Sequence, residues 1–431
     1  MEEVRLMMGS STPERILWDP LRIGRMEVRG RVYKAATSET RATADGYVTD
    51  ELLEFYAPIA DGGTPLIVTG NIGVSQQGHS SGRMMMIDHD DKLPGLRRLV
   101  ESVKPKGAKL VAQLNHGGRQ TIRNEIRNPI VSASSVRDAS LGTKPRALTR
   151  EEIASVVGSF ADAAERAREA GFDGIQLHFA HGYLVSQFMT PHTNRRNDEY
   201  GGTLRNRIRL PLEILRAVRK RVGDDFPILA KINCTDSLAF RHGATRDDFL
   251  TLGKAMEDEG LDAVELSRAH YESVPPMMSG SYAKWTETQI HDGVGRGFSP
   301  GRKRLGLALA PLIDAVLTKS APKGEGYNLP FAMCFKKHLK IPVITNGGFL
   351  SKDAMEAAVA NGHTDAVSCA RAIVANPYLF KQLYESVDDA PACRQCNGCV
   401  ARVGVHKVDC YEPGVARLRR LLLSGYKPAV D

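Results

Sequence analysis

The chain has 431 residues, with 58 Lys and Arg against 50 Asp and Glu, a formal charge of +8, 42% apolar and 25% charged residues, the balance of a globular protein and not of a disordered one. The basic residues are interleaved with acids instead of gathered into a block, which argues against a nucleic-acid partner and for anionic cofactors or substrates. No apolar run approaches the ~20 residues of a membrane span, and neither MEEVRLMMGSSTPER nor GYKPAVD carries a secretory pattern or a recognisable address, so a cytoplasmic location is expected.

Short β-rich runs recur at residues 31–36, 65–69, 109–113, 174–178, 228–232, 263–266, 343–345 and 366–369. Helical patterns lie between them, and this alternation predicts a parallel sheet with crossover helices. Eight is the number that closes a (β/α)₈ barrel. An open doubly wound sheet is the rival, because counting strands does not establish closure. No G-x-G-x-x-G turn follows the first run, so a dinucleotide-binding unit lacks support. Among the helices, 151–170 shows an apolar stripe at three- and four-residue spacing and stops at Gly171, a residue suited to a helix end. Stretches 207–222 and 246–259 read similarly.

Residues 269–327 are too long for a simple connection and mix Pro, Gly, Ser and Met with one helical stretch near 304–317. They read as an insertion after the sixth strand, lying over the barrel mouth. The barrel unit is expected over residues 1–389, followed by a cysteine-rich extension over 390–431. Four of the seven cysteines, Cys393, Cys396, Cys399 and Cys410, form a C-x2-C-x2-C-x10-C array there. Without an export signal, this spacing points to a metal or an iron–sulfur cluster in preference to disulfides.

The most informative stretch runs from Gly171 to Arg207. The fourth predicted strand ends at His178, and His181 and Tyr183 follow within five residues, at the end of the barrel where catalytic groups are presented. Two imidazoles on one carbonyl oxygen withdraw electrons from a conjugated double bond. A tyrosine beside them can protonate the adjacent carbon. By spacing alone the pair also fits a structural hydrogen-bonding role, and His-x-x-His is a common metal-ligand spacing.

HFAHGYL followed by TPHTNRRNDEYGGTLRNR resembles the signature of the old yellow enzymes, FMN-dependent ene reductases on a (β/α)₈ barrel, and the resemblance runs from about residue 17 to 380. It implies FMN, NADH or NADPH as reductant, and a small enone-type substrate reduced by hydride transfer from flavin N5, with His178, His181 and Tyr183 as catalytic residues. Within DPLRIGRMEVRGRVYKAATSE it implies that Ala36, Thr37 and Ser38 lie against the flavin. LIVTGNIGVSQQG places Gly70 at the flavin edge, and VAQLNHGGRQ places Gln113 on the pyrimidine half.

In ILAKINCTD, Lys231 stands where many relatives carry an arginine beside flavin N1; it keeps the charge and loses the planar fork. Gly347 and Gly348, with Ala370 and Arg371, resemble the family's phosphate site, although Ala370 replaces a usual glycine. The cysteine tail resembles the cluster segment of trimethylamine dehydrogenase and 2,4-dienoyl-CoA reductase, which implies a four-iron cluster; structural zinc or an unmetallated array are the alternatives. The rival activities are oxidation of a small metabolite or NADH oxidation with oxygen, and a non-catalytic electron carrier. Oligomeric state, including a homo-oligomer, is left open.

Overall fold

The computed structural model describes residues 13–122, 128–238, 241–273, 277–386 and 392–425. Eight strands form a closed parallel barrel: β1 (Val32–Lys34), β2 (Leu66–Gly73), β3 (Lys109–Asn115), β4 (Gly174–Phe179), β5 (Ile228–Asn233), β6 (Ala263–Ser267), β7 (Val343–Thr345) and β8 (Ala366–Cys369). Each pairs with its neighbour in sequence, and β8 closes on β1 through Val367–Val32, Ser368–Tyr33 and Cys369–Lys34. Closure rules out the open sheet. The strands read as nearly unbroken apolar runs because the barrel interior covers one face and the helices the other.

An antiparallel hairpin, Leu21–Ile23 with Met26–Val28, precedes β1. Its Ile23, Met26 and Val28 pack with Tyr33, Leu66, Val111 and Leu229 from the barrel strands, which leaves the opposite, carboxyl-terminal end free for a site.

The helix Arg150–Ala170 begins in a capping box, with Thr149 and Glu152 satisfying each other's backbone amides, and stops at Gly171 in the left-handed conformation, φ 91°. Such a box contributes on the order of 1 kcal/mol. Its Ile153, Val156, Phe160, Ala163, Ala164 and Ala167 are buried, the three- and four-residue spacing of a single face. The helix expected at 207–222 is divided at Ile208 into Leu204–Arg207 and Arg209–Val222. Arg207 is turned inwards at this junction, donating to the Met189 and Gly202 carbonyls.

Within 269–327 the helical stretch is longer than expected, Pro300–Ser320, because Ser299 caps it and Pro300 occupies its first turn. A further short helix covers Trp285–His291. The boundary expected at 389 lies outside the described residues. Among the described residues no helix is long and apolar enough to cross a membrane.

Candidate active site

A cavity of about 250 Å³ opens at the carboxyl-terminal end of the barrel. Every strand contributes to its wall or its rim: Ala36, Thr37 and Ser38 after β1, Asn71 from β2, Gln113 from β3, His178 from β4, Lys231 from β5, Ser267 from β6, Asn346 after β7, and Ser368 from β8. His181, Tyr183, Gly347, Gly348, Ala370 and Arg371 also line it. The catalytic and flavin-binding residues expected from sequence are therefore brought to one cavity, with one exception.

Gly70 is the exception. The register of β2 on β3 shifts between Val68 and Asn71, a bulge that turns Asn71 onto the cavity wall. The Gly70 amide is used behind the wall, donating to Glu39 Oε1 at 2.6 Å and to Tyr56 Oη at 2.8 Å. A side chain there would meet Glu39 and the Thr37 carbonyl, so the glycine serves the packing of Glu39 and not a ligand edge.

His178 is buried, His181 and Tyr183 are half-buried, and the three rings are close. The His178 ring centroid lies 5.2 Å from that of His181 and 4.8 Å from that of Tyr183. Burial, then the neighbouring His181 and Lys231, hold His178 well below the ordinary imidazole range, and burial followed by Lys231 and His270 pushes His181 down to about 3. Both are neutral at pH 7. Burial pushes the Tyr183 phenol up to about 12, so it keeps its proton. Among the described residues the buried Nδ1 of His178 has no hydrogen-bond partner.

His181 is held from three sides. Its φ is +62°, a left-handed conformation that costs a non-glycine residue about 1 kcal/mol. The Asn233 side chain accepts its amide proton at 3.1 Å, and its carbonyl accepts from the Tyr271 amide at 3.0 Å. Its Nε2 lies 2.7 Å from Ser267 Oγ, which in turn accepts from Asn346 Nδ2 at 3.1 Å. Asn328, at the end of the insertion, donates to Asn346. A relay of three side chains thus orients one imidazole.

Tyr271, Met277, Met278 and Tyr327 line the cavity from the inserted segment. Tyr271 is followed by Glu272, whose carboxylate lies against Arg119 at 2.5 Å, Arg241 at 3.1 Å and His192 at 3.2 Å. This buried ionic group ties the segment to the loops after β3, β4 and β5. Tyr271, Glu272, Met277, Met278 and Tyr327 stand in none of the motifs read from the sequence. The available signals are an aromatic–acid pair after β6 and a serine ending that strand.

Arg371 lines the cavity, but its guanidinium is already engaged. Nη1 donates to the Ser279 carbonyl at 2.7 Å and to Asn397 Oδ1, and Nη2 to Ser279 Oγ at 3.1 Å. Gly347 is packed against the returning insertion, its carbonyl accepting from the Gly326 amide at 2.8 Å. A side chain on Gly348, at φ +74°, would meet Ser279 Oγ and the Tyr327 ring. The two glycines therefore allow a close approach by the insertion as well as lining the cavity.

The four tail cysteines gather near this corner, with Cys393 and Cys399 on the cavity wall. Burial pushes the Cys399 thiol up to about 12, and raises Cys393 and Cys410. Among the described residues no group of three or more His, Cys, Asp or Glu is arranged to hold a single metal ion. Gln395 and Asn397, both in left-handed conformation, spend their side chains on Gly348, Arg371, Ser279 and Ser281.

A family model described as NADH:flavin oxidoreductase / NADH oxidase matches residues 16–292. One described as dihydrouridine synthase matches residues 332–413, which include β7 and β8. A metal reductase of Desulforamulus reducens is 34% identical over 390 residues, 90% of this chain and 52% of the relative. A 4,4'-dithiodibutanoate disulfide reductase of Rhodococcus erythropolis is 31% identical, over 91% of this chain and 94% of the relative. A solved 2-naphthoyl-CoA reductase complex aligns with a TM-score of 0.80 at 25% identity, covering 96% of this chain and 58% of that one. The chain thus spans about half the length of the metal reductase, and nearly the whole of the disulfide reductase. With the matched model covering β1 to β6 and the barrel closed, the chain belongs to the NADH:flavin oxidoreductase / NADH oxidase family, the family of the old yellow enzymes.

Proposed function

We propose that this chain is an FMN-dependent NAD(P)H oxidoreductase that reduces the activated C=C bond of α,β-unsaturated carbonyl compounds. The observation that supports this reading most is the convergence of His178, His181 and Tyr183 on one cavity wall, with ring centroids 4.8 and 5.2 Å apart. A substrate carbonyl oxygen held there would accept from the imidazole N–H groups as charge develops on it.

The wall suits FMN: Gln113 and Lys231 offer an amide and a cation on one side, and Ala36, Thr37 and Ser38 offer small side chains on another. Ala370 and Arg371 bound the corner assigned to the phosphate, where the Arg371 contacts to Ser279 and Asn397 fix its fork. Bound there, FMN supplies two-electron chemistry, accepting reducing equivalents from NADH or NADPH and passing them to the substrate carbon. The chain's own residues do the rest. Neutral His178 and His181 donate hydrogen bonds to the developing enolate oxygen, which stabilises charge as it forms. Tyr183 holds a proton for the neighbouring carbon. Residues 269–327 act as a cover, with Met277, Met278 and Tyr327 excluding water.

The test is to mix chemically reduced protein with 2-cyclohexenone under stopped flow. Reoxidation far faster than by dissolved oxygen supports the reading; reoxidation no faster than by oxygen overturns it. A second reading has its own support, since the relative that this chain covers almost end to end is named a disulfide reductase. In that case two electrons and two protons convert one disulfide into two thiols. Faster reoxidation by 4,4'-dithiodibutanoate than by cyclohexenone would favour it.

A further inference from the structure

Three polar side chains of the cavity wall converge, behind it, on one carboxylate that belongs to no recognised motif. Glu265 lies in β6 and is 1% exposed. Its Oε1 is 3.0 Å from Lys231 Nζ and accepts from Ser368 Oγ at 2.7 Å. Its Oε2 accepts from Gln176 Nε2 at 2.7 Å, and Gln176 Oε1 accepts from Gln113 Nε2 at 2.7 Å. Lys231, Ser368 and Gln113 all face the cavity; Gln176 does not.

A carboxylate paired with an ammonium has no proton to give. Gln176 must therefore turn its amino group towards Glu265, and its carbonyl towards Gln113. Gln113 in turn gives one of its two amino hydrogens to Gln176, which fixes the orientation of its amide and leaves Oε1 as an acceptor for a ligand N–H. The same carboxylate also balances the charge of Lys231, so the wall presents a compensated cation and not a free one.

We infer that Glu265 is the positioning residue of the cofactor wall: it fixes Gln113 as a hydrogen-bond acceptor and sets how much of the Lys231 charge a bound flavin feels. The inference rests on the reading that the cavity holds FMN. It concerns the balance between the oxidised and the anionic reduced flavin, since an uncompensated cation beside the ring favours the reduced form.

The experiment is the FMN midpoint potential of the holoprotein and of Glu265→Gln, which keeps the shape and removes the charge. The expected result is an upward shift of at least about 30 mV, a tenfold change in the equilibrium of a two-electron couple. Combined with Lys231→Gln, the upward shift should be offset, because the two charges act on the flavin in opposite senses. Should Glu265→Gln fail to fold, the Lys231→Gln and double variants decide. Lys231→Gln alone should lower the potential by more than about 30 mV, and removing both charges should restore it to within about 30 mV of native. Flavin-loaded Glu265→Gln with an unmoved potential overturns this inference alone. A native chain that binds no flavin overturns the reading of the cavity as well.

Discussion

Replacing Tyr183 with Phe removes one oxygen from the cavity and keeps the ring whose centroid lies 4.8 Å from that of His178. The imidazole should therefore keep its packing. Because burial holds the phenol at about 12, essentially every native molecule carries the proton at pH 7, and the variant loses a fully populated donor. General-acid catalysis of this kind contributes roughly 10²- to 10⁴-fold, or about 3–5 kcal/mol of barrier. Stopped-flow measurement of both half-reactions separates the effects: reduction by NADPH should change less than threefold, while reoxidation by 2-cyclohexenone should slow by about 10²-fold or more. The native reoxidation rate should also stay level up to about pH 10, below the range in which the phenol ionises. Equal slowing of both half-reactions would refute the assignment, because it would mean that the ring shapes the cavity and the hydroxyl moves no proton.

Two further outcomes follow from the same geometry. Gly70→Ala would force Glu39 and the Thr37 carbonyl away from the bulge. It should destabilise the fold by roughly 2–4 kcal/mol in urea and loosen the wall at Thr37; a variant as stable as native would show that the bulge has room. Acid should also destabilise the protein. Burial holds His116, His181 and His270 at about 3, and His178 is lowered too. Below about 6.5 the unfolded chain takes up these protons and the folded one does not, so stability falls as pH drops. Asp236, raised by burial to about 6, and Glu39, also raised, act in the opposite sense. With His79 also lowered and Asp138 also raised by burial, the histidines still outnumber the carboxyl groups five to three, so stability should fall between about pH 6.5 and 5. A urea midpoint that is level or rising on acidification would contradict it.

The eight strands were legible because a barrel buries both faces of each one, leaving short apolar runs between amphipathic helices. Their ends were less so: β2 continues through its bulge to Gly73. That bulge is also why Gly70 was misplaced, since one irregular step decides which of two adjacent residues meets the cavity. His178, His181 and Tyr183 were legible because three such groups follow a strand end in close succession. Ser267, Asn346 and Tyr271 were not, because each acquires its role only when strands distant in sequence become neighbours around the barrel. Glu265 had a signal, an acid inside the apolar run AVELS; its partner Lys231 on β5 becomes evident only from the pairing of the two strands. The cysteine spacing was legible, but the Asn397 and Gln395 anchors to Arg371 and Gly348 between those cysteines were not.

The central claim is that the wall built from Gln113, Lys231 and Arg371 holds FMN. The most direct measurement is fluorescence titration of flavin-free protein with FMN. The account predicts saturable binding of one FMN per chain, with weaker binding of riboflavin because the corner at Arg371 then lacks its phosphate. No saturable binding of FMN by the folded chain would contradict it.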